Sequence, residues 1–286
     1  MKIVVTGVRG QLGYDVVLEL NDRGHEAVGI DVAELDITDA VAVDAFFESV
    51  RPDALIHCAA YTATEKAEDE PDVCRKVNAE GTKNLAVACK RVNAKMLYIS
   101  TDYVFDGEGD TPFDINDKIA PLSVYGKTKY EGEAFVREIL ENYFIVRISW
   151  VFGINGKNFI RTMLKLAEQR DTVSVVCDQI GSPTYTKDLA PLLVSMVESE
   201  KYGTYHATNE GFCSWHDLAS ETFRVAGLNM NVIPVSSDAF PSKIKRPENS
   251  RLDKSALDEN GFSRLPDWKD AVKRYVAELK AQENGD

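Results

Sequence analysis

The strongest constraint on the fold lies in the first thirteen residues, where the apolar run Lys2 to Thr6 leads into Gly7-Val8-Arg9-Gly10-Gln11-Leu12-Gly13. An apolar run that ends in glycines spaced G-x-x-G-x-x-G and passes into helical periodicity reads as strand, tight turn and helix. Gly7 would allow the turn, Gly10 would let the backbone approach a pyrophosphate, and Gly13 would let helix and strand pack closely. Taken alone, the triplet fits an ordinary strand-to-helix turn as well as a dinucleotide loop.

The same alternation recurs. Apolar runs at Lys2 to Thr6, Glu26 to Asp31, Ala54 to Cys58, Lys95 to Ser100, Phe144 to Ser149 and Thr204 to Ala207 read as buried strands. Helices are expected to begin near Gln11, Ala40, Cys74, Val124, Asn158, Thr186 and Trp215, with Asp39 as an N-cap and Gly24 ending the first helix. The pattern predicts an α/β fold: a Rossmann-type doubly wound parallel sheet with a smaller C-terminal substrate-binding lobe. Past Phe152, glycines and prolines break the regularity. Residues 1–152 are read as an NAD(P)-binding Rossmann domain with a return at 184–210, and residues 153–183 and 211–286 as the substrate-binding lobe.

A net charge of −13 repels polyphosphate backbones and anionic bilayers, which argues against nucleic-acid and membrane partners. The five cysteines are odd in number and form no Cys-x-x-Cys pair, so neither a disulfide framework nor a metal site is expected. The N-terminus enters a strand rather than a signal-peptide apolar stretch, and the expected location is the cytoplasm.

Chemistry concentrates at the carboxyl ends of the expected strands. Asp31, eighteen residues past Gly13, can accept hydrogen bonds from adenosine ribose hydroxyls, whereas Arg9 can approach a 2′-phosphate, so NADPH or NADH is expected. Ala59 and Ala60 leave room for a cofactor or for close helix packing, and His57 reads as a satisfied core histidine. Tyr125 and Lys129, four apart on one helix face, form the strongest pair. An ammonium beside the phenol would lower its pKa and equip it to donate a proton to a carbonyl oxygen, to which Thr101 would add a hydroxyl hydrogen bond.

With these residues in place, the sequence resembles the extended short-chain dehydrogenase/reductases and, more closely, the dTDP-4-dehydrorhamnose reductases, over almost its whole length. The likeness rests on the glycine loop, Ala59 to Ala63 with Lys66-Ala67-Glu68, Ser100 to Phe105, Tyr125 to Lys129, Arg147 to Val151, Asn158-Phe159, Asp178 to Thr184 and Arg246 to Leu252. It implies NAD(P)H-dependent reduction of the 4-keto group of dTDP-4-dehydro-β-L-rhamnose to dTDP-β-L-rhamnose, a polysaccharide precursor. Tyr125 would then be the proton donor, Lys129 its activator and a nicotinamide-ribose ligand, and Thr101 the polarising hydroxyl. Gly10, Gln11, Leu12, Asp31, Asp36, Ile37, Ala60, Tyr61 and Thr62 would surround the cofactor, and Thr101, Asp102 and Trp150 would contact substrate. Lys243, Lys245, Arg246 and Arg251 cluster in an otherwise acidic chain, and Arg246 and Arg251 are assigned to the nucleotide diphosphate.

Cys58 and Glu65 depart from the usual family residues without removing a catalytic group. A homodimer is left open; of the glutamates that bridge some family dimers through a metal, only Asp15 occupies a comparable neighbourhood. A 4,6-dehydratase would carry an acid pair where Asp102 is followed by Tyr103. A nucleotide-sugar epimerase of the same fold, needing the same tyrosine and lysine, stays as an alternative, as does a non-catalytic NADP-binding subunit resembling the regulatory β subunit of methionine adenosyltransferase.

Overall fold

The computed structural model describes residues 1–283; the final three residues of the expected lobe, 284–286, lie outside the described residues. Strands β1 (Lys2–Thr6), β2 (Glu26–Ile30), β3 (Ala54–His57), β4 (Lys95–Thr101) and β5 (Tyr143–Ile148) are followed by β6 (Val151–Phe152), β7 (Thr172–Val176), β8 (Ile180–Gly181), β9 (Thr184–Tyr185), β10 (Gly203–His206), β11 (Cys213–Ser214), β12 (Asn231–Val235) and β13 (Asn249–Ser250). The helices are α1 (Gln11–Asp22), α2 (Ala40–Val50), α3 (Thr64–Ala67), α4 (Pro71–Arg75), α5 (Thr82–Val92), α6 (Val124–Ile139), α7 (Phe159–Ala167), α8 (Thr186–Glu198), α9 (Trp215–Ala226), α10 (Ser255–Glu259) and α11 (Trp268–Glu283).

Six strands form the main sheet in the order β10-β5-β4-β3-β1-β2, all parallel. The chain leaves β1 toward β2 and then crosses back to β3, so the order reverses between β1 and β3. That reversal opens the crevice in which doubly wound folds bind ligands. Both faces are covered. Ile3 and Val5 pack with Leu12, Val16 and Leu20 of α1 and with Leu189 to Val197 of α8, while Val4, Leu55 and Tyr98 face Phe47 of α2, Leu85 of α5 and Val136 of α6. Burial on both faces is why these strands read as continuous apolar runs rather than alternating ones.

Local signals act as expected at two helix ends. The Asp39 side chain accepts the N–H groups of Val41 and Ala42 at the start of α2. Gly24, with φ at +75°, lets His25 donate back to the Leu20 carbonyl and close α1. The helix expected near Cys74 is interrupted: a π-helical turn at Lys76–Gly81 separates α4 from α5. The widened turn leaves the Asn78 carbonyl free to accept Thr82 Oγ1 at 2.7 Å.

The remaining strands pair outside the main sheet. β11, β8 and β13 form one small sheet, β7 pairs with β12, and β6 with β9. Helix α11, absent from the sequence reading, packs Val272, Tyr275 and Val276 against Phe152 and Tyr185.

Candidate active site

The glycine loop is formed by contact with the loop after β3. Gly7 has φ of +71°, and a Cβ there would lie 2.8 Å from the Ala59 nitrogen. At Gly13 a Cβ would overlap the Gly7 carbonyl, so only glycine lets α1 start this close to β1. No side chain caps α1 and no acidic residue stands in its first turn. Its unpaired N–H groups and positive dipole end therefore suit an anion.

A cavity of about 580 Å³ follows the carboxyl edge of the sheet. Gly7, Gly10, Gln11, Leu12, Gly13 and Asp31 line it at the β1 and β2 ends; Thr101, Asp102, Tyr125, Lys129 and Trp150 line it at the β4 and β5 ends; Ala60 and Thr62 also face it. A neighbouring cavity of about 300 Å³ shares Gly7, Asp31 and Ala60 and adds Asp36, Ile37 and Tyr61. A third, of about 1070 Å³, is lined in the lobe by Phe159, Gln179, Trp215, Lys245 and Arg246. Aromatic rings connect the first and third: Trp150 stacks on Trp215 with centroids 3.8 Å apart. Trp150 holds a left-handed backbone, φ +49°, unusual for so bulky a residue and typical of a constrained site.

The predicted residues thus converge, with one exception. Arg251 lines none of these cavities; its guanidinium donates to Asn249 Oδ1 at 3.0 Å and stands over the Phe212 ring. Arg246 does face the lobe cavity, where Glu65 binds it at 2.6 Å.

Around the expected reacting groups, the Thr101 hydroxyl donates to Asp102 Oδ1 at 2.9 Å and the Ser250 hydroxyl to Asp102 Oδ2 at 2.6 Å. Burial raises the Asp102 carboxyl to about 6 against these two bonds. Lys129 is buried; its ammonium donates to the Ile99 carbonyl at 2.7 Å and lies 4.1 Å from the centre of the Tyr98 ring. Burial lowers it to about 7. The expected lowering of Tyr125 is not found. Burial pushes the phenol up, with the Thr101 hydroxyl only partly opposing, because withdrawing a phenolate from water costs more than nearby groups return. A phenol that stays protonated is the form a proton donor requires.

His57 is satisfied and neutral. Burial, followed by the Lys129 charge, drives it to about 3. Thr6 Oγ1 lies 2.7 Å from its Nδ1 and accepts the Ala59 N–H, while its Nε2 meets Thr82 Oγ1 at 3.2 Å.

Several residues at the site were not singled out from the sequence. Asn78, in the π-helical turn, donates to the Tyr61 carbonyl and to Thr128 Oγ1 and accepts the Tyr61 N–H, tying the loop after β3 to α6. Asn155 donates to the Arg9 carbonyl at 3.0 Å and, with Gly156 and Lys157, lines the first cavity from the lobe side. Glu133, fully buried on α6, accepts Ser100 Oγ at 2.5 Å and both Nε and Nη2 of the buried Arg147 at 2.9 Å. Its spacing, four residues beyond Lys129 on the same helix face, was the available signal.

A family model described as RmlD substrate binding domain matches residues 1–281. The dTDP-4-dehydrorhamnose reductase of Streptomyces griseus is 41% identical over 276 residues, spanning 94% of this chain and 91% of the relative. The crystal structure of a dTDP-4-dehydrorhamnose reductase from Clostridium acetobutylicum superposes with a TM-score of 0.96 at 43% identity, covering 98% of this chain and 100% of that one. One from Bacillus anthracis, solved in complex with NADP, gives 0.95 at 42% identity over 97% of this chain and 100% of that one. With a match of this length and identity, on a fold whose cavities gather the tyrosine, lysine and threonine of the motif, the chain belongs to the RmlD substrate binding domain family, that of the dTDP-4-dehydrorhamnose reductases.

Proposed function

We propose that this chain reduces the 4-keto group of dTDP-4-dehydro-β-L-rhamnose to dTDP-β-L-rhamnose with NADPH or NADH. The observation that carries the reading is the placement of Tyr125, Lys129, Thr101 and Asp102 together in the first cavity, next to the aromatic wall it shares with the lobe cavity. The residues suit a dinucleotide: the Gly7 and Gly13 positions leave no room for a Cβ, the α1 N-terminus offers unpaired N–H groups, and Asp31 stands at the end of β2. When bound, the reduced nicotinamide supplies a hydride.

This chain's own residues handle the proton and the orientation. Tyr125 gives its proton to the carbonyl oxygen as that oxygen gains charge. Lys129, titrating near neutrality, supports the phenolate left behind. Thr101 donates a hydrogen bond to the same oxygen once it turns from Asp102. Trp150 would flank the sugar, and the lobe cavity would take the nucleotide, with Arg246 exchanging Glu65 for a phosphate. Residues 1–152 with the return at 184–210 serve as the dinucleotide domain in this reading, and residues 153–183 with the segment from 211 onward as the substrate lobe. Among the described residues no helix is long and apolar enough to cross a membrane. A cytoplasmic enzyme drawing on the pool of reduced cofactor fits the proposed reaction, with a homodimer as the assembly to test.

The test is oxidation of NADPH and NADH by the purified protein in the presence of dTDP-4-dehydro-L-rhamnose, compared with Tyr125→Phe. Substrate-dependent oxidation that falls by at least about a hundredfold in the variant supports the assignment. Cofactor binding without oxidation would instead favour the epimerase or regulatory-subunit readings.

A further inference from the structure

We infer that Glu34 sets how well this chain accepts a 2′-phosphorylated dinucleotide, by holding or releasing the side chain of Arg9. The inference rests on the dinucleotide reading of the glycine-loop cavity and adds a specificity residue that lies outside the reacting groups.

Asp31 lines both the cavity beside the glycine loop and the smaller one behind it, which places it where an adenosine ribose passes from one to the other. Its carboxylate is fixed by backbone: Oδ2 accepts the Arg9 N–H at 3.1 Å and Oδ1 the Val32 N–H at 2.8 Å. A carboxylate held this way can accept ribose hydroxyls but repels a phosphate at the same position.

A second carboxylate stands beside it. Glu34 Oε2 accepts the Asp31 N–H at 2.9 Å, and Oε1 accepts the Arg9 guanidinium at 2.5 Å. With Asp31 and Glu34 each at −1 and Arg9 at +1, the closed cluster carries −1, and a 2′-phosphate adds nearly two more negative charges. The one group of the three that can answer that phosphate is the guanidinium already held by Glu34.

Release is inexpensive. The Arg9 and Glu34 side chains are 63% and 44% exposed, so their attraction is screened by water. The Arg9 backbone, by contrast, is anchored: its N–H is bound to Asp31 and its carbonyl accepts Asn155 Nδ2. Only the side chain has to swing. A ribose hydroxyl leaves the Arg9–Glu34 pair closed; a phosphate dianion competes with Glu34 for a planar donor that can grip it at two points.

The direct test is a fluorescence titration of NADPH and NADH binding to the wild type, Glu34→Gln, Arg9→Ala and the double variant, at low and at physiological salt. Glutamine removes the charge yet keeps an acceptor for the Asp31 N–H. In Glu34→Gln the Kd for NADPH should fall roughly tenfold while that for NADH moves less than about twofold, a combination of lost repulsion and a freed guanidinium. The gain should shrink as salt rises and be mostly lost in the Arg9→Ala background. Equal shifts for the two cofactors, or a gain that survives in full without Arg9, overturns the inference. A wild type that binds neither cofactor overturns the dinucleotide reading itself, and the gate with it.

Discussion

Replacing Glu133 by alanine should cost this protein about 3–5 kcal/mol of stability, because it strands a buried guanidinium. Arg147 is 1% exposed and directs both Nε and Nη2 at the Glu133 carboxylate, which is itself fully buried. Without that carboxylate, Arg147 keeps the Ile115 carbonyl at 3.2 Å, the face of the Phe105 ring 5.1 Å away and a contact with His206, which burial drives to about 3 and so leaves neutral, and none of these carries a negative charge. For a 286-residue chain the loss corresponds to a fall in Tm of about 5–8 °C. Calorimetry on Glu133→Ala, Arg147→Met and the double variant measures the coupling, and the double variant should recover at least half of the single loss, since replacing both ends with apolar groups removes the stranded charge. A pH series adds an independent check. Burial alone would raise the Glu133 carboxyl, but the Arg147 hydrogen bonds and charge, with Arg137 and Ser100, hold it below its ordinary 4.5. A carboxyl whose folded pKa is depressed stabilises the fold above its unfolded value, so this contribution should be complete above about pH 4.5 and drain away as the pH falls further. A loss under about 1 kcal/mol, or no coupling between the two sites, would show that water reaches the pair and that it does not hold α6 in place.

Two further substitutions probe the site. In Gly126→Ala the new methyl would overlap the Tyr103 carbonyl, so the first turn of α6 should shift at a cost of about 1–3 kcal/mol, and kcat should fall with it because Tyr125 moves; unchanged kcat and Tm would contradict this packing. Asp102→Asn should alter the pH dependence of stability between about pH 4 and pH 6. Burial raises this carboxyl to about 6, so the stability it lends is full below its ordinary 3.8 and is lost as the pH rises through about 6. The wild type should lose stability relative to the variant across that window, and parallel Tm curves would refute the assignment.

The parts of the site that were legible in the sequence are those whose chemistry is local. Gly7, Gly10 and Gly13 follow an apolar run, and Tyr125 and Lys129 share one helix face, so spacing alone brought them forward. Asn155, Gly156 and Lys157 were assigned to the lobe because nothing nearby in sequence indicates that they reach back over the glycine loop. The small strands β6, β8, β9, β11 and β13 are two residues each, too short for any period to show, and they exist only through partners distant in the chain. Arg251 failed differently: a positive charge in a basic stretch gives no direction, and its neighbour Asn249 took the guanidinium. The pKa of Tyr125 was misjudged because an i, i+4 lysine is visible in the sequence whereas burial is not.

The edge strand β10 carries a consequence for how such a chain can be made and altered. β10 pairs with β5, and α8 packs Leu189, Leu193 and Val197 beneath the same sheet, yet both follow α7 and the small strands β6 to β9 in the chain. During synthesis the edge at β5 therefore stays uncovered until residue 206 has left the ribosome, and an exposed strand edge invites pairing with other chains. A fragment ending near residue 152 would carry that edge permanently and lack the α8 contribution to its core, so it should aggregate when expressed alone. For the same reason, under the proposed division, exchanging the substrate lobe with that of a relative would mean replacing two separate segments at once, and specificity is then more accessible to point substitution than to module swapping.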